Sequence, residues 1–115
     1  MDATIYHNPR CSTSRQALEM MKAAGVEPKV VEYLKRPPSR TKLKELLRKA
    51  RLRPRDAMRT GDPLYAELGL GDEALSDDAL IDAMHANPAL IQRPIVETGK
   101  GVRLCRPPER VHELL

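Results

Sequence analysis

Cys11 stands in the run His7-Asn8-Pro9-Arg10-Cys11-Ser12-Thr13-Ser14-Arg15, directly after a short apolar segment and directly before an amphipathic one. A thiol at that junction lies over the positive end of a helix dipole, among backbone N–H groups with no intrahelical acceptor. Such a place lowers a thiol's pKa and also binds anions. Arg10 and Arg15 flank the thiol, and the hydroxyl residues Ser12, Thr13 and Ser14 follow it. The expected chemistry is a reactive thiolate beside an oxyanion site, with Arg15 among the groups that hold the anion. A buried structural cysteine would need apolar neighbours, and these are polar or charged.

Self-contained dithiol exchange uses Cys-x-x-Cys, in which the second thiol resolves a mixed disulfide. Here the third residue after Cys11 is Ser14. A cycle that oxidises or derivatises Cys11 therefore borrows its second thiol, from an external reductant or from Cys105. Cys105, at the end of a strand-like run, reads more readily as packing. His7, four residues before Cys11, closes the first apolar run, and an imidazolium there would favour the thiolate. His7, His85 and His112 are scattered and Cys105 completes no ligand spacing, so no metal set is expected.

Arginine outnumbers lysine, and several copies sit at punctuation points. Arg59 precedes the turn Thr60-Gly61-Asp62-Pro63, Arg93 precedes Pro94, and Arg106 precedes Pro107. Guanidinium holds a tetrahedral oxyanion through paired N–H bonds. At one end of an α/β sheet, three such junctions could converge on the thiolate. The Arg93-Pro94 bond is a candidate cis peptide.

The elements that must position these groups follow from pattern and punctuation. Residues 3–7 read as a strand and 12–24 as a helix, with Ala17, Met20, Met21 and Ala24 on one face and Gly25 as the stop. Residues 29–33 form a second strand, so the β-α-β unit implies parallel pairing with a right-handed crossover. Ser39 caps a helix over 40–50 with Leu43, Leu46, Leu47 and Ala50 inward. Short helices follow over 54–59 and 63–68, then one capped by Ser76 and stopped at Asn87-Pro88. Strands at 95–98 and 102–105 flank the loop Gly99-Lys100-Gly101, and Pro107 and Pro108 open a last helix with Val111, Leu114 and Leu115 inward. The class is α/β: a thioredoxin-like βαβ…ββα order with a mixed sheet and a helical insertion. We expect one domain over 1–115, with its core at about 1–35 and 90–115 and the insertion at about 36–89.

Bulk composition narrows the function classes. The chain has 115 residues, enough for one core, and a net charge of +4, a mild excess that suits an anionic substrate. Aromatics make up 3%, too few for the stacking platforms of a single-strand nucleic-acid binder. The basic stretch from Lys35 to Arg55 falls largely on the solvent face of the 40–50 helix and reads as a solvated face rather than a nucleic-acid surface. No apolar run approaches membrane-spanning length and no signal pattern opens the chain, so a cytoplasmic monomer without membrane or nucleic-acid partners is expected. Cytosolic thiols are reduced at rest.

The run Ile5 to Arg15 resembles the active-site loop of the ArsC-type, glutaredoxin-linked arsenate reductases. The resemblance extends over Tyr33-Leu34, Pro37 to Arg40, Met58-Arg59, Pro63 to Leu70, Leu90 to Val96 and Arg103 to Pro107. It implies a thioredoxin-like fold with a helical insertion. By matching position it implies that Cys11 is the nucleophile and that Arg59, Arg93 and Arg106 bind the anion. It gives His7 the part of depressing the thiol pKa, and Ser14 that of a hydroxyl bonding near the thiolate. The implied reaction is attack of Cys11 on arsenate, followed by glutathione and glutaredoxin as external reductants; no tightly bound cofactor is implied. Thr60-Gly61-Asp62 departs from the more basic segment expected after Arg59. Two other readings stay open: a glutathione-dependent thiol reductase, and a Spx-like RNA polymerase-binding redox regulator, against whose Cys-x-x-Cys switch Ser14 argues.

Overall fold

β1 (Ala3–His7) is an inner strand, and its last three residues are all buried. In the computed structural model, which describes residues 1–115, it pairs in parallel with β2 (Lys29–Glu32) and antiparallel with β3 (Ile95–Thr98). β3 pairs antiparallel with β4 (Gly101–Leu104), giving a mixed four-stranded sheet in the order β2-β1-β3-β4. Two compact units divide the chain. The first is Met1–Arg36 with Arg93–Leu115, which holds the sheet; the second is Pro37–Gln92.

In the first unit α1 (Ser12–Ala23) makes the crossover between the parallel strands. Gly25, at φ +81°, ends it in the left-handed conformation that glycine adopts freely, and Val26 N–H returns to the Met21 carbonyl. The buried face of α1 is Ser14, Ala17 and Met21; Ala24, expected inward, lies past the last turn and is exposed. Ala17 and Met21 pack with Ile5, Val96, Cys105, Val111 and Leu114 in one core cluster. The C-terminal segment Pro108–Leu114 is a 310 helix rather than an α-helix. At three residues per turn Val111 and Leu114 fall on one line, and both are fully buried. The Thr98 hydroxyl fixes the segment to the sheet by donating to the Leu114 carbonyl at 2.9 Å. Gly101 pairs with Thr98, so the hairpin loop is only Gly99-Lys100.

In the second unit α2 (Arg40–Ala50) buries Leu43, Leu46 and Leu47. The Ser39 hydroxyl caps it, accepting from Lys42 N–H. A 310 turn follows at Pro54–Ala57, then α3 (Pro63–Glu67), capped by Asp62. α4 (Asp77–Ala86) is capped by Ser76 and buries Leu80, Ile81 and Met84. α2 and α4 pack together, and Arg40 with Asp82 and Lys44 with Asp78 join them at the surface. The helix expected over 54–59 stops at Ala57, because Met58 pairs with Ile91 in an antiparallel bridge and Arg59 N–H donates to the Leu90 carbonyl. A further 310 turn, Pro88–Leu90, follows the Asn87-Pro88 stop.

Candidate active site

Cys11 is the N-cap of α1, in extended backbone geometry at φ −95° and ψ 121°. A turn aims it: Cys11 N–H donates to the Asn8 carbonyl at 3.0 Å, and Arg10 N–H donates to Asn8 Oδ1 at 2.9 Å. This is the local side-chain bond by which Asn favours turns, and Pro9 suits the next position. Asn8 was not among the expected site residues. Its place before proline, ahead of a helix start, was the signal available.

Cys11 is 9% exposed. That burial acts to raise its pKa, but the backbone N–H of Ser14, the side chains of Arg93 and Arg106 and the Arg93 charge together outweigh it, leaving the pKa at about 7. Arg106 Nη1 lies 3.8 Å from Sγ and donates at 2.9 Å to the Arg93 carbonyl, so one guanidinium ties the two arginine junctions to the sulfur. Both arginines precede cis prolines, Arg93-Pro94 and Arg106-Pro107. Arg93 Nε is buried without a partner. An unmade bond of that kind costs about 1–3 kcal/mol, so a nearby anion oxygen would be held there. The site is thus a near-neutral-pKa thiolate with an unused guanidinium N–H beside it.

The remaining expected residues are placed as follows. Ser14 is fully buried, and its hydroxyl turns to His7 Nδ1 at 2.6 Å and to Asn8 N–H at 3.1 Å. What Sγ receives from Ser14 is therefore the backbone N–H rather than the hydroxyl. Burial holds His7 below its ordinary pKa against the opposing pull of Glu32, its register partner on β2, and Arg15 and Lys22 push the same way as burial. That direction favours the neutral imidazole over the imidazolium expected, and the ring's hydrogen bond is with Ser14. Arg15 is exposed, and its Nη1 donates to the Pro9 carbonyl at 2.9 Å, bracing the turn from the first helical turn of α1. Arg59 belongs to the second unit, where Nη1 meets Asp62 Oδ2 at 3.3 Å; Asp62 also caps α3. Cys105 is fully buried in the sheet core, and that burial pushes its thiol up to about 12.

No group of three or more His, Cys, Asp or Glu side chains converges as metal ligands, and no helix is long and apolar enough to cross a membrane. A surface hollow of about 560 Å³, lined in part by Asp2, Thr4, Lys29 and Glu97, lies at the opposite end of β1 from Cys11.

The family model for the ArsC family matches residues 6–114. The chain belongs to the ArsC family. It is 53% identical over 115 residues to an arsenate reductase of Rhizobium meliloti, covering all of this chain and 82% of that protein. An arsenate reductase of Escherichia coli K12 is 48% identical over 112 residues, 97% of this chain and 79% of the relative. Among solved structures, an arsenate reductase from Vibrio cholerae superposes with a TM-score of 0.97 at 47% identity, covering 100% and 98% of the two chains. The ArsC fold, a thioredoxin-like mixed sheet with helices, is therefore that of this chain.

Proposed function

We propose that this ArsC protein is an arsenate reductase that uses Cys11 as the one reacting thiol of its own chain and draws its electrons from glutathione and glutaredoxin. The observation that supports it best is the Cys11 sulfur held at a pKa of about 7 between the Ser14 N–H, Arg93 and Arg106, with Arg93 Nε unpaired. A thiolate that exists at neutral pH and lies against guanidinium donors suits attack on a tetrahedral oxyanion. The names of its relatives point to arsenate.

The chemistry balances as follows. The Cys11 thiolate forms an S–As bond as one As–O bond breaks, and the oxygen leaves as water once protonated. Glutathione displaces a second oxygen in the same way. A glutaredoxin thiolate then attacks the glutathione sulfur; an S–S bond forms and the As–S electron pair stays on arsenic, which falls from arsenic(V) to arsenic(III). Water releases arsenite and returns Cys11. The two external sulfurs carry the oxidation, which is why Ser14 in the third position after Cys11 is no obstacle. Arg93 and Arg106 hold the anion, Asn8 and Arg15 keep the turn closed, and His7 positions Ser14. An oxyanion role for Arg59 rests on the family resemblance alone.

The test is arsenite release by the purified protein with arsenate, glutathione and glutaredoxin. We expect turnover that stops when either thiol component is left out, that is abolished in Cys11→Ser and that persists in Cys105→Ala. No arsenite from the wild type with all components present would refute the reading.

A further inference from the structure

We propose that Arg10 recognises a carboxylate of the tripeptide thiol that resolves the Cys11 adduct, so that it selects anionic over neutral thiols. This rests on the reductase reading above and adds to it the residue that receives the second substrate.

Several observations meet at Arg10. Its backbone is fixed, because its N–H is held by Asn8 Oδ1 at 2.9 Å inside the turn that Cys11 N–H closes on Asn8. Arg15 braces the same turn through the Pro9 carbonyl, so the Cα of Arg10 has a set place next to the nucleophile. Its side chain is exposed, and the guanidinium meets no acid or carbonyl of the chain. The arginines around it already hold contacts: Arg15 with Pro9, Arg106 with the Arg93 carbonyl and with Sγ, and Arg93 with the thiol, its buried Nε alone being unpaired. Finally, Cys11 is only 9% exposed, so an incoming thiol reaches it over its exposed neighbours Pro9, Arg10 and Ser12. The stretch from His7 to Arg15 contains no acidic residue.

A free, anchored guanidinium on the approach to a reactive sulfur attracts carboxylates and leaves neutral thiols unaffected. Glutathione carries more carboxylates than ammonium groups, and its cysteine lies between them. A carboxylate on Arg10 therefore brings its sulfur toward the adduct. Arg10 does not touch the reacting atoms; it acts on the approach of the thiol, and its removal belongs in KM rather than kcat.

The experiment compares wild type, Arg10→Ala, Arg10→Lys and Arg10→Glu with glutathione and with glutathione diethyl ester, whose carboxylates are masked. Arg10→Ala is expected to raise the KM for glutathione about three- to fivefold, as for an exposed charge pair. Arg10→Glu should raise it further and Arg10→Lys should restore most of it, with kcat unmoved and the KM for the diester, which keeps only its ammonium, not raised. An arm without arsenate uses oxidised glutathione, whose disulfide the Cys11 thiolate opens to form Cys11–SG and release one glutathione thiolate. Arg10→Ala should slow that step by a similar factor but leave the step with neutral 2-hydroxyethyl disulfide unchanged. Equal effects on charged and masked reagents, or none, would overturn the role of Arg10. Loss of arsenite release by wild type with the Arg10 dependence intact in the disulfide arm would instead count against the reductase reading.

Discussion

At the scale of single residues, the chemistry turns on which atom of Ser14 does what. The backbone N–H faces Sγ and lowers its pKa, while the hydroxyl bonds to His7 Nδ1 and Asn8 N–H in the interior. Ser14→Ala removes only the second set. It should cost about 1–3 kcal/mol of stability in chemical denaturation, from leaving those buried groups unpaired. The same variant should keep the midpoint of Cys11 reactivity near 7, since the N–H remains. A midpoint that rises toward a free thiol's would return the hydroxyl to the thiolate. His7 shows why residue types alone mislead here. A histidine beside a thiol suggests an imidazolium, but in the interior desolvation wins over the Glu32 charge. Arg15 is a similar case: its spacing fits an anion ligand, yet its contact is a backbone carbonyl.

At the scale of elements, much was legible because the signals are local. Ser39 and Ser76 cap the helices they were expected to cap, and the β-α-β unit follows from its apolar pattern and Gly25. What was not legible depends on pairing with distant residues. Met58 leaves the 310 turn to bridge Ile91, so Arg59 sits between that isolated bridge and the turn to Asp62 rather than at a helix end. The last helix is 310, and its three-residue turn sets the buried Pro108, Val111 and Leu114 on one line. One element also carries visible strain. α2 ends on Arg51 at φ +58°, a left-handed position where glycine is the usual residue, with Leu52 N–H returning to the Leu47 carbonyl. Arg51→Gly should raise stability by about 1 kcal/mol, read as an increase in Tm, with arsenite release unchanged. A fall in Tm would mean that the arginine side chain contributes more than its backbone costs.

At the scale of the molecule, the fold places two chemically identical side chains in opposite states. Cys11 follows the C-terminal end of β1, where a helix start and two proline-preceding arginines meet. Cys105 follows β4 inside the cluster that joins α1 to the sheet. The first thiol is held at about 7 and the second is pushed up to about 12. The turn and the arginine junctions could be read from the sequence. The depth of Cys105 could not, since strand alternation alone leaves open which side of β4 it takes. The most direct test is the rate of alkylation of each cysteine by iodoacetamide in the native protein as a function of pH, located by peptide mass. Because the thiolate is the reacting form, the Cys11 rate should rise with pH to a plateau with a midpoint near 7, while Cys105 stays unmodified until the protein is unfolded. A Cys11 midpoint at or above about 8.5, the free-thiol value, or comparable labelling of both cysteines in the folded protein, would contradict the account.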